Sequence, residues 1–369
     1  MSNWRILSDN LLGAVEAASA WAGTTEIPVL LDPALESGQA VQAMVSHTRD
    51  ASPAEMQHRL LAALDWFTGG GCKFKKIDSL LRGNTIAEIA WLMASGRFAG
   101  AVFAPGFPGQ GRFTAQGRHW VASANQPYGP RSHEHGTPLD QVLRREGLVA
   151  RMTSQIDDCL SQPGQVVIPD LLTDEDLGRL AALSEKDQAS QWLWCGGAGL
   201  AGALAGMQAG KQTDRASHQT APSPCGTGRP ILLTASRHPL LRDQLHQLAL
   251  LKLPLSQLDL SDIMSLPREQ AQELMVKRLQ ALVAHHERPA VLVIVGGYTL
   301  LALCRATRAR SLMTSPSPQT GWGQTRMVGG HWNGVCCFVH SSTFALNDDL
   351  CGFLTKLCSA QQRETLAPS

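Results

Sequence analysis

The chain has 369 residues, which is too long for one ordinary domain and sufficient for two. Its 32 basic and 31 acidic residues leave a formal charge of +1, which argues against nucleic acid or an anionic membrane as a partner. Nine cysteines without a Cys-x-x-Cys pair argue against a disulfide framework and a zinc site. No apolar stretch reaches about 18 residues and no signal-peptide pattern begins the sequence, so we expect a cytoplasmic protein.

Residues 1–207 alternate short apolar runs with helical patterns, which predicts crossover units on a mostly parallel sheet. The predicted strands are Trp4–Leu7, Pro28–Leu31, Ala43–Val45, Cys72–Lys76, Ala101–Ala104, Val166–Pro169 and Gln191–Trp194. The predicted helices are Leu11–Trp21, Pro53–Phe67, Thr85–Ala94, Pro138–Arg145, Asp174–Leu183 and Gly199–Met207. These elements predict a first α/β domain.

Residues 208–228 are mostly small and polar and lack apolar periodicity, which predicts a linker. A second α/β domain is predicted over 229–369. Its predicted strands and helices are Ile231–Thr234, Val291–Val295 and Val335–Val339, and Pro239–Leu250, Pro267–His286, Thr299–Arg305 and Asp348–Leu357. The Ser-, Pro- and Gly-rich stretch between Arg310 and Gly330 is predicted to be a loop.

Polar residues that follow the predicted strands are candidates for ligand binding, because open parallel sheets bind ligands at the carboxyl ends of their strands. Asp9 comes directly after the first strand and before a helix. Its carboxylate is suited to act as a base, to bind a cation or to cap the helix. Arg49, which follows the strand Ala43–Val45, is a candidate cation at the end of another strand.

The segment from Lys75 to Asn84 brings two lysines, an arginine, an aspartate, a serine and an asparagine to one turn that opens a helix. The guanidinium of Arg82 offers two parallel donors to a carboxylate, and a helix N-terminus adds backbone donors. The segment therefore predicts an anion site, and a solvated turn with Asn84 as the helix cap is the alternative. A Pro- and Gly-rich loop presents Arg112 and Thr114 after the fifth strand, where a binding role and a purely structural role both remain open.

In the second domain, Ser236 and Arg237 follow the first strand. Gly296 and Gly297 follow the strand Val291–Val295 and precede a helix. A glycine pair at this position allows a phosphate to approach the backbone closely, although such pairs also serve turn geometry alone. Neither the P-loop pattern nor the dinucleotide-binding pattern follows a strand in this chain.

In their order along the chain, these turns resemble the four-carbon acid sugar kinase family. Residues 9–14, Asp-Asn-Leu-Leu-Gly-Ala, match the family pattern Asp-Asp-Leu-Thr-Gly-Ala. Residues 76–84 match Lys-x-Asp-Ser-Thr-Leu-Arg-Gly-Asn, which is the most specific part of the resemblance. Residues 105–114 match the loop Pro-Ala-Phe-Pro…Gly-Arg-x-Thr, and residues 196–201 match Gly-Ser-Ala-Gly-Leu-Ala.

The resemblance implies an N-terminal substrate domain, a C-terminal nucleotide domain and a ligand cleft between them. It implies that ATP, with Mg²⁺, phosphorylates a hydroxyl of a tetronate or 3-oxo-tetronate, with Asp9 accepting the hydroxyl proton. The substrate-binding residues implied are Asn10, Arg49, Lys76, Asp78, Ser79, Arg82, Asn84 and Arg112. The nucleotide-binding residues implied are Ser236, Arg237, Gly296, Gly297, Thr299, Ser341 and Ser342. Protein ligands for the metal are not identified, and a homodimer is one option for the oligomeric state.

The chain departs from the family pattern more in the nucleotide half than in the substrate half. In the substrate half, Asn10 replaces an aspartate, and Leu12 and Leu80 each replace a threonine. In the nucleotide half, Tyr298 replaces an acidic residue, and residues 340–345 lack the lysine and both glycines of Lys-Ser-Gly-x-Phe-Gly. The alternative hypothesis is therefore a non-catalytic sugar-acid-binding protein that has lost the use of ATP.

Overall fold

The computed structural model describes residues 3–35, 37–122, 136–209, 228–318, 321–341 and 350–366. These residues form two compact units. The first contains the described residues up to 209 except Ala22–Glu26, and the second contains Ala22–Glu26 and the described residues from 228 onward. Of the predicted linker, 208 and 209 belong to a helix and 210–227 lie outside the described residues. No helix in the described ranges is long and apolar enough to cross a membrane.

The first unit is built on a fully parallel sheet. The strands of the unit are β1 (Trp4–Ser8), β2 (Ile27–Leu30), β3 (Val41–Val45), β4 (Cys72–Lys76), β5 (Gly100–Ala104), β6 (Arg112–Ala115), β7 (Arg118–Val121), β8 (Ala150–Thr153), β9 (Val166–Pro169) and β10 (Trp192–Gly196). Eight of them pair in the order β2-β3-β1-β4-β10-β5-β9-β8. Strands β6 and β7 form a separate antiparallel hairpin.

Six helices of the first unit follow or connect these strands. They are α1 (Leu11–Trp21), α2 (Pro53–Thr68), α3 (Thr85–Ala94), α4 (Leu139–Arg145), α5 (Asp174–Ala182) and α6 (Ala198–Ala209). Local sequence sets several helix starts: the Ser52 side chain accepts a hydrogen bond from the Glu55 amide at the start of α2, where Pro53 occupies the first turn. At α5, Thr173 and Asp176 form a reciprocal capping box.

The core of the first unit lies between its sheet and its helices. Strands β5 and β10 are buried at every residue, which is expected of central parallel strands that are covered on both faces. One core cluster joins side chains of α2, α3 and α4 to the sheet, and it includes Leu7, Met44, Leu60, Phe67, Leu92, Phe103 and Leu143. Helices α1 and α5 pack against α6. A rigid sheet thus holds the loops at its carboxyl edge.

The second unit has a mixed sheet. Its elements are β11 (Ile231–Thr234), α7 (Pro239–Leu251), β12 (Ser256–Asp259), α8 (Arg268–His285), β13 (Val291–Val295), α9 (Gly297–Thr307), β14 (Ser311–Ser315), β15 (Trp322–Val328), β16 (Cys336–His340) and α10 (Leu350–Leu366). The strand order is β12-β11-β13-β16-β15-β14, in which the first four are parallel and the last two antiparallel. Glu26 belongs to this unit through an ion pair with Arg326 and a hydrogen bond from Ser315.

The α/β class with mostly parallel sheets flanked by helices is confirmed. The prediction of a loop between Arg310 and Gly330 is wrong, because this stretch contains β14 and β15. Both strands alternate buried with partly exposed residues, so they lack the continuous apolar run typical of a parallel strand. Short strands β6, β7, β8 and β12 were likewise not predicted, and Arg112 and Thr114 lie on β6 rather than in a loop.

Candidate functional site

The candidate site of the first unit lies at the carboxyl edge of the sheet. Strands β3, β1, β4, β10 and β5 are consecutive and parallel, so their carboxyl ends lie side by side. The loops that follow these ends carry the residues singled out from the sequence. Arg49 follows β3, Asp9 follows β1, and the segment from Asp78 to Asn84 follows β4. This edge is where parallel sheets usually bind ligands.

Asp9 and Arg49 form a two-bond ion pair across neighbouring strands. The Arg49 Nε donates to Asp9 Oδ2 at 2.7 Å, and its Nη2 donates to Oδ1 at 3.1 Å. The Asp9 side chain is only 2% exposed. Burial lowers the pKa of Arg49, but the negative charge of Asp9 and their hydrogen bond outweigh it, so the pKa is raised overall. The carboxylate of Asp9 is therefore used to hold Arg49 and does not cap α1.

Asp78 and Arg82 form a second two-bond pair that continues from the first. The Nε and Nη2 of Arg82 each donate to the Asp78 carboxylate at 2.8 Å. Arg49 also reaches Asp78, with Nη2 at 3.4 Å from Oδ1. Although burial by itself raises the pKa of Asp78, Arg82 and Arg49 together hold that pKa well below its usual range. The order Asp9, Arg49, Asp78, Arg82 is a ladder of alternating charges, which we call the charge ladder.

The last member of the charge ladder faces solvent. The Arg82 side chain is 49% exposed, whereas that of Asp78 is 7% exposed. Because Nε and Nη2 are turned to Asp78, Nη1 lies on the side of the guanidinium away from that pair. An exposed guanidinium that a buried carboxylate orients is a suitable partner for the carboxylate of a small ligand.

Asn84 joins the loop after β3 to the start of α3. Its Nδ2 donates to the carbonyl oxygens of Thr48 and Ala51, both at 2.8 Å, and its amide donates to the carbonyl of Arg49 at 3.2 Å. Its side chain makes no capping hydrogen bond to the helix. Asn84 therefore fixes the backbone that carries Arg49.

Lys76, the last residue of β4, and Asn10, which directly precedes α1, both contact residues of α1. The Lys76 Nζ is 3.0 Å from Glu16 Oε2 and donates to the carbonyl of Ile77 at 3.1 Å. Asn10 Oδ1 accepts from the amide of Gly13 at 2.7 Å, so Asn10 is the residue that caps α1. Glu16, which the sequence analysis did not single out, thus fixes the lysine from the first helix.

The β6–β7 hairpin contacts the turn that follows β4. The Nε2 of His119, on β7, lies 2.8 Å from the carbonyl oxygen of Ser79. Arg112, on β6, donates from Nη1 to the carbonyl and side-chain oxygens of Gln110 at 3.2 and 3.1 Å. Burial lowers the pKa of Arg112, and the negative charges of Glu16 and Asp78 oppose this change. Because Asp78 acts on it, the guanidinium of Arg112 lies within electrostatic reach of the charge ladder.

A buried ion pair beneath the site was missed in the sequence. The Nζ of Lys75, on β4, is 2.5 Å from Glu88 Oε2, on α3, and both side chains are 0% exposed. Burial raises the pKa of Glu88, and the charge of Lys75 opposes this rise. The available signal was a glutamate on the apolar side of α3, between Ile86 and Ile89, and a lysine within a buried strand.

The nucleotide-site candidates of the second unit also meet at one sheet edge. Strands β11, β13 and β16 are adjacent and parallel, and their ends lead to Ser236 and Arg237, to the glycine pair, and to Ser341. Gly296 has φ +110°, a backbone conformation that side chains rarely adopt, and its amide donates to the carbonyl of His340 at 2.9 Å. The backbone amides that open α9 can bind an anion.

Other nucleotide-site candidates have local partners or are not described. Thr299 is buried in the first turn of α9, and Ser236 Oγ accepts from the amide of His238 at 3.2 Å. Tyr298 is 42% exposed, and its Oη accepts from Arg268 Nη2 at 3.2 Å. Ser342 lies outside the described residues. The described part of the chain contains no group of three His, Cys, Asp or Glu side chains that could hold a metal ion.

Comparison with known families identifies the first unit. Residues 6–204 match the family described as "Sugar-binding N-terminal domain". Over 234 residues the chain is 32% identical to a D-threonate kinase from Cupriavidus necator. The match covers 55% of this chain and 54% of that protein. The match thus spans about half the length of the curated relative.

Two solved structures share the fold. A protein from Salmonella typhimurium LT2 has a TM-score of 0.71 at 17% identity, covering 96% of this chain and 98% of that one. A Haemophilus influenzae protein, assigned to a domain family of unknown function, has a TM-score of 0.67 at 14% identity, covering 96% and 100%. At such identities the likeness establishes the fold alone.

Proposed function

This chain belongs to the four-carbon acid sugar kinase family, and we propose that it transfers the γ-phosphoryl group of ATP to a hydroxyl of a four-carbon sugar acid. The observation that carries this proposal is the charge ladder at the carboxyl edge of the first sheet. It lies inside the region that matches the sugar-binding domain, and it ends in a solvent-facing arginine. The substrate class is a tetronate or 3-oxo-tetronate.

In this proposal the arginines bind the carboxylate of the acid. Arg82 is the principal partner, because buried Asp78 orients it and half of its side chain faces solvent. Arg112 adds a second positive charge, and Arg49 supplies charge from within the ladder. Lys76 and Asp78 keep the pocket ordered, as do Asn10, Ser79 and Asn84 through the turns in which they lie.

Asp9 is the proposed acceptor of the hydroxyl proton. Each of its carboxylate oxygens has a second lone-pair position beyond the one that Arg49 uses. Phosphoryl transfer depends mostly on positioning and on charge neutralisation, so a base that orients the hydroxyl is sufficient and no covalent nucleophile is needed.

ATP is proposed to bind at the edge of the second sheet. Gly296, Gly297 and Thr299 would present the N-terminus of α9 to its phosphates, with Ser236, Arg237, Ser341 and Ser342 around them. Mg²⁺ would be held mainly by the phosphates of ATP, as is usual where proteins supply one or two carboxylates at most. When bound, it would neutralise the charge on the transferred group.

The alternative function is binding of a sugar acid without phosphoryl transfer. Tyr298 favours it, because the family has an acidic residue there and this tyrosine is instead engaged by the guanidinium of Arg268, 5.5 Å from its ring centre. The two functions share the acid site and differ only in the use of ATP.

Calorimetry with ATP and Mg²⁺, repeated with a panel of four-carbon sugar acids, tests the proposal. We expect saturable nucleotide binding that tightens when one acid is present, and ADP formation with that acid. Binding of an acid without any nucleotide signal would establish the alternative. The variant Arg82→Ala, which removes the principal proposed partner of the acid, is measured in the same way. Arg97→Ala is its matched control, because Arg97 is 55% exposed and pairs only loosely, at 3.5 Å, with an exposed aspartate.

A further inference from the structure

The β6–β7 hairpin places a buried histidine against the turn that carries Asp78 and Arg82. His119 lies opposite Thr114 in the hairpin register, and both are 0% exposed. The hairpin is fixed to the loop after β9 by two backbone hydrogen bonds. The amide of Thr114 donates to the carbonyl of Leu171 at 3.1 Å, and the amide of Leu171 donates to the carbonyl of Thr114 at 2.7 Å. His119 therefore projects from a braced element.

The contact between His119 and Ser79 has a defined direction. A carbonyl oxygen only accepts, so the Nε2 of His119 must carry the proton and donate to Ser79 across 2.8 Å. The two residues are 40 positions apart in the chain. The bond is thus a long-range tie between the hairpin and the turn after β4.

The turn that receives this bond is strained and requires outside contacts. Leu81 has φ +57°, a left-handed conformation that is unfavourable for a residue with a side chain. Within the turn, the amides of Leu80 and Arg82 donate to Asp78 Oδ2 at 3.2 and 3.1 Å. The shape of the turn and the orientation of the Asp78 carboxylate are therefore coupled.

We infer that His119 is a positioning residue for the sugar-acid site: by holding the Ser79 carbonyl, it keeps the strained turn in the shape in which Asp78 orients Arg82. This inference rests on the proposed function of that site. The described hydrogen bond of His119 is with Ser79, which is not a member of the charge ladder. Its effect passes through Ser79 to Asp78 and then to the exposed guanidinium.

Two substitutions at His119 test the inference. His119→Leu removes the donor, and His119→Gln keeps an N–H donor on a side chain of similar length. We expect His119→Leu to raise the KM for the acid about tenfold, because the partly buried Ser79 carbonyl loses its partner and the turn loses its tie to the hairpin. The KM for ATP should stay unchanged, and His119→Gln should recover most of the loss. His58→Leu, at an exposed histidine on α2, is the matched control and should change neither constant.

Hydrogen exchange of the Leu80 and Arg82 amides gives a readout that needs no substrate. In His119→Leu these amides should exchange faster than in the wild type, while amides in the central strands β5 and β10 stay protected. Unchanged exchange at both amides, or equally faster exchange throughout the first unit, would overturn the inference. A wild type that binds no sugar acid would contradict the proposed function, and the exchange result would still decide the role of His119.

Discussion

Alanine at position 83 should disturb the charge ladder through the backbone. Gly83 has φ +72°, and a Cβ there would lie 2.3 Å from the carbonyl oxygen of Arg49. Gly96 has nearly the same φ, +69°, but a Cβ there would meet nothing within 4 Å. The pair Gly83→Ala and Gly96→Ala therefore separates the cost of the conformation from the cost of the contact.

The expected magnitudes follow from these two terms. A left-handed alanine costs about 1–2 kcal/mol, and the reduced freedom of the unfolded chain returns about 0.4–1 kcal/mol. Gly96→Ala should thus lower the free energy of unfolding by about 1 kcal/mol. Gly83→Ala should lose about 2–4 kcal/mol, since overpacking adds about 1–3 kcal/mol and the clashing atom belongs to the backbone.

Urea unfolding followed by tryptophan fluorescence measures this difference. Most of the tryptophans lie in the first unit, namely Trp4, Trp21, Trp66, Trp91, Trp120, Trp192 and Trp194. Only Gly83→Ala should also weaken binding of the acid, because the Arg49 carbonyl has to move. Equal losses of stability in the two variants, with unchanged affinity for the acid, would refute the close approach of this turn to Arg49.

Two further predictions concern buried charges. Glu88→Leu alone should lower the free energy of unfolding by about 3–5 kcal/mol, because Lys75 is left buried without its partner, and adding Lys75→Met should restore most of it; a double variant as unstable as the single one would contradict this. Asp78 has a lowered pKa in the folded state, so its contribution to stability is complete above about pH 5 and is lost as the pH falls through and below its ordinary value of 3.8. As the pH is lowered from 6 to 3, the urea midpoint should therefore fall less steeply in Asp78→Asn than in the wild type. Parallel curves for the two proteins would contradict the pairing of Asp78 with Arg82 and Arg49.

The fold followed from the sequence where apolar runs were continuous. The bounds of β13 and α3 match the predicted ones, because a continuous apolar run marks the strand and an apolar helical pattern marks the helix. Strands β14 and β15 were missed because every second residue is polar or partly exposed, which resembles a loop when composition alone is considered. Edge and hairpin strands carry the same weak signal.

The residue types of the site could be predicted, but their pairing could not. Asp9 was open to interpretation as a helix cap, and only the order β3-β1-β4 brings Arg49, 40 positions away, onto its carboxylate. Glu88 and His119 were missed for the same reason, since their partners lie on other elements. Long-range contacts of single side chains leave no periodic pattern in the sequence.

One measurement tests the central claim most directly: ADP formation from ATP and Mg²⁺ with each four-carbon sugar acid in turn, in the wild type, Arg82→Ala and Arg97→Ala. We predict turnover with at least one acid in the wild type and in Arg97→Ala, and its loss in Arg82→Ala. Acid-dependent turnover that survives unchanged in Arg82→Ala, or its absence with every acid in the wild type, would contradict the account.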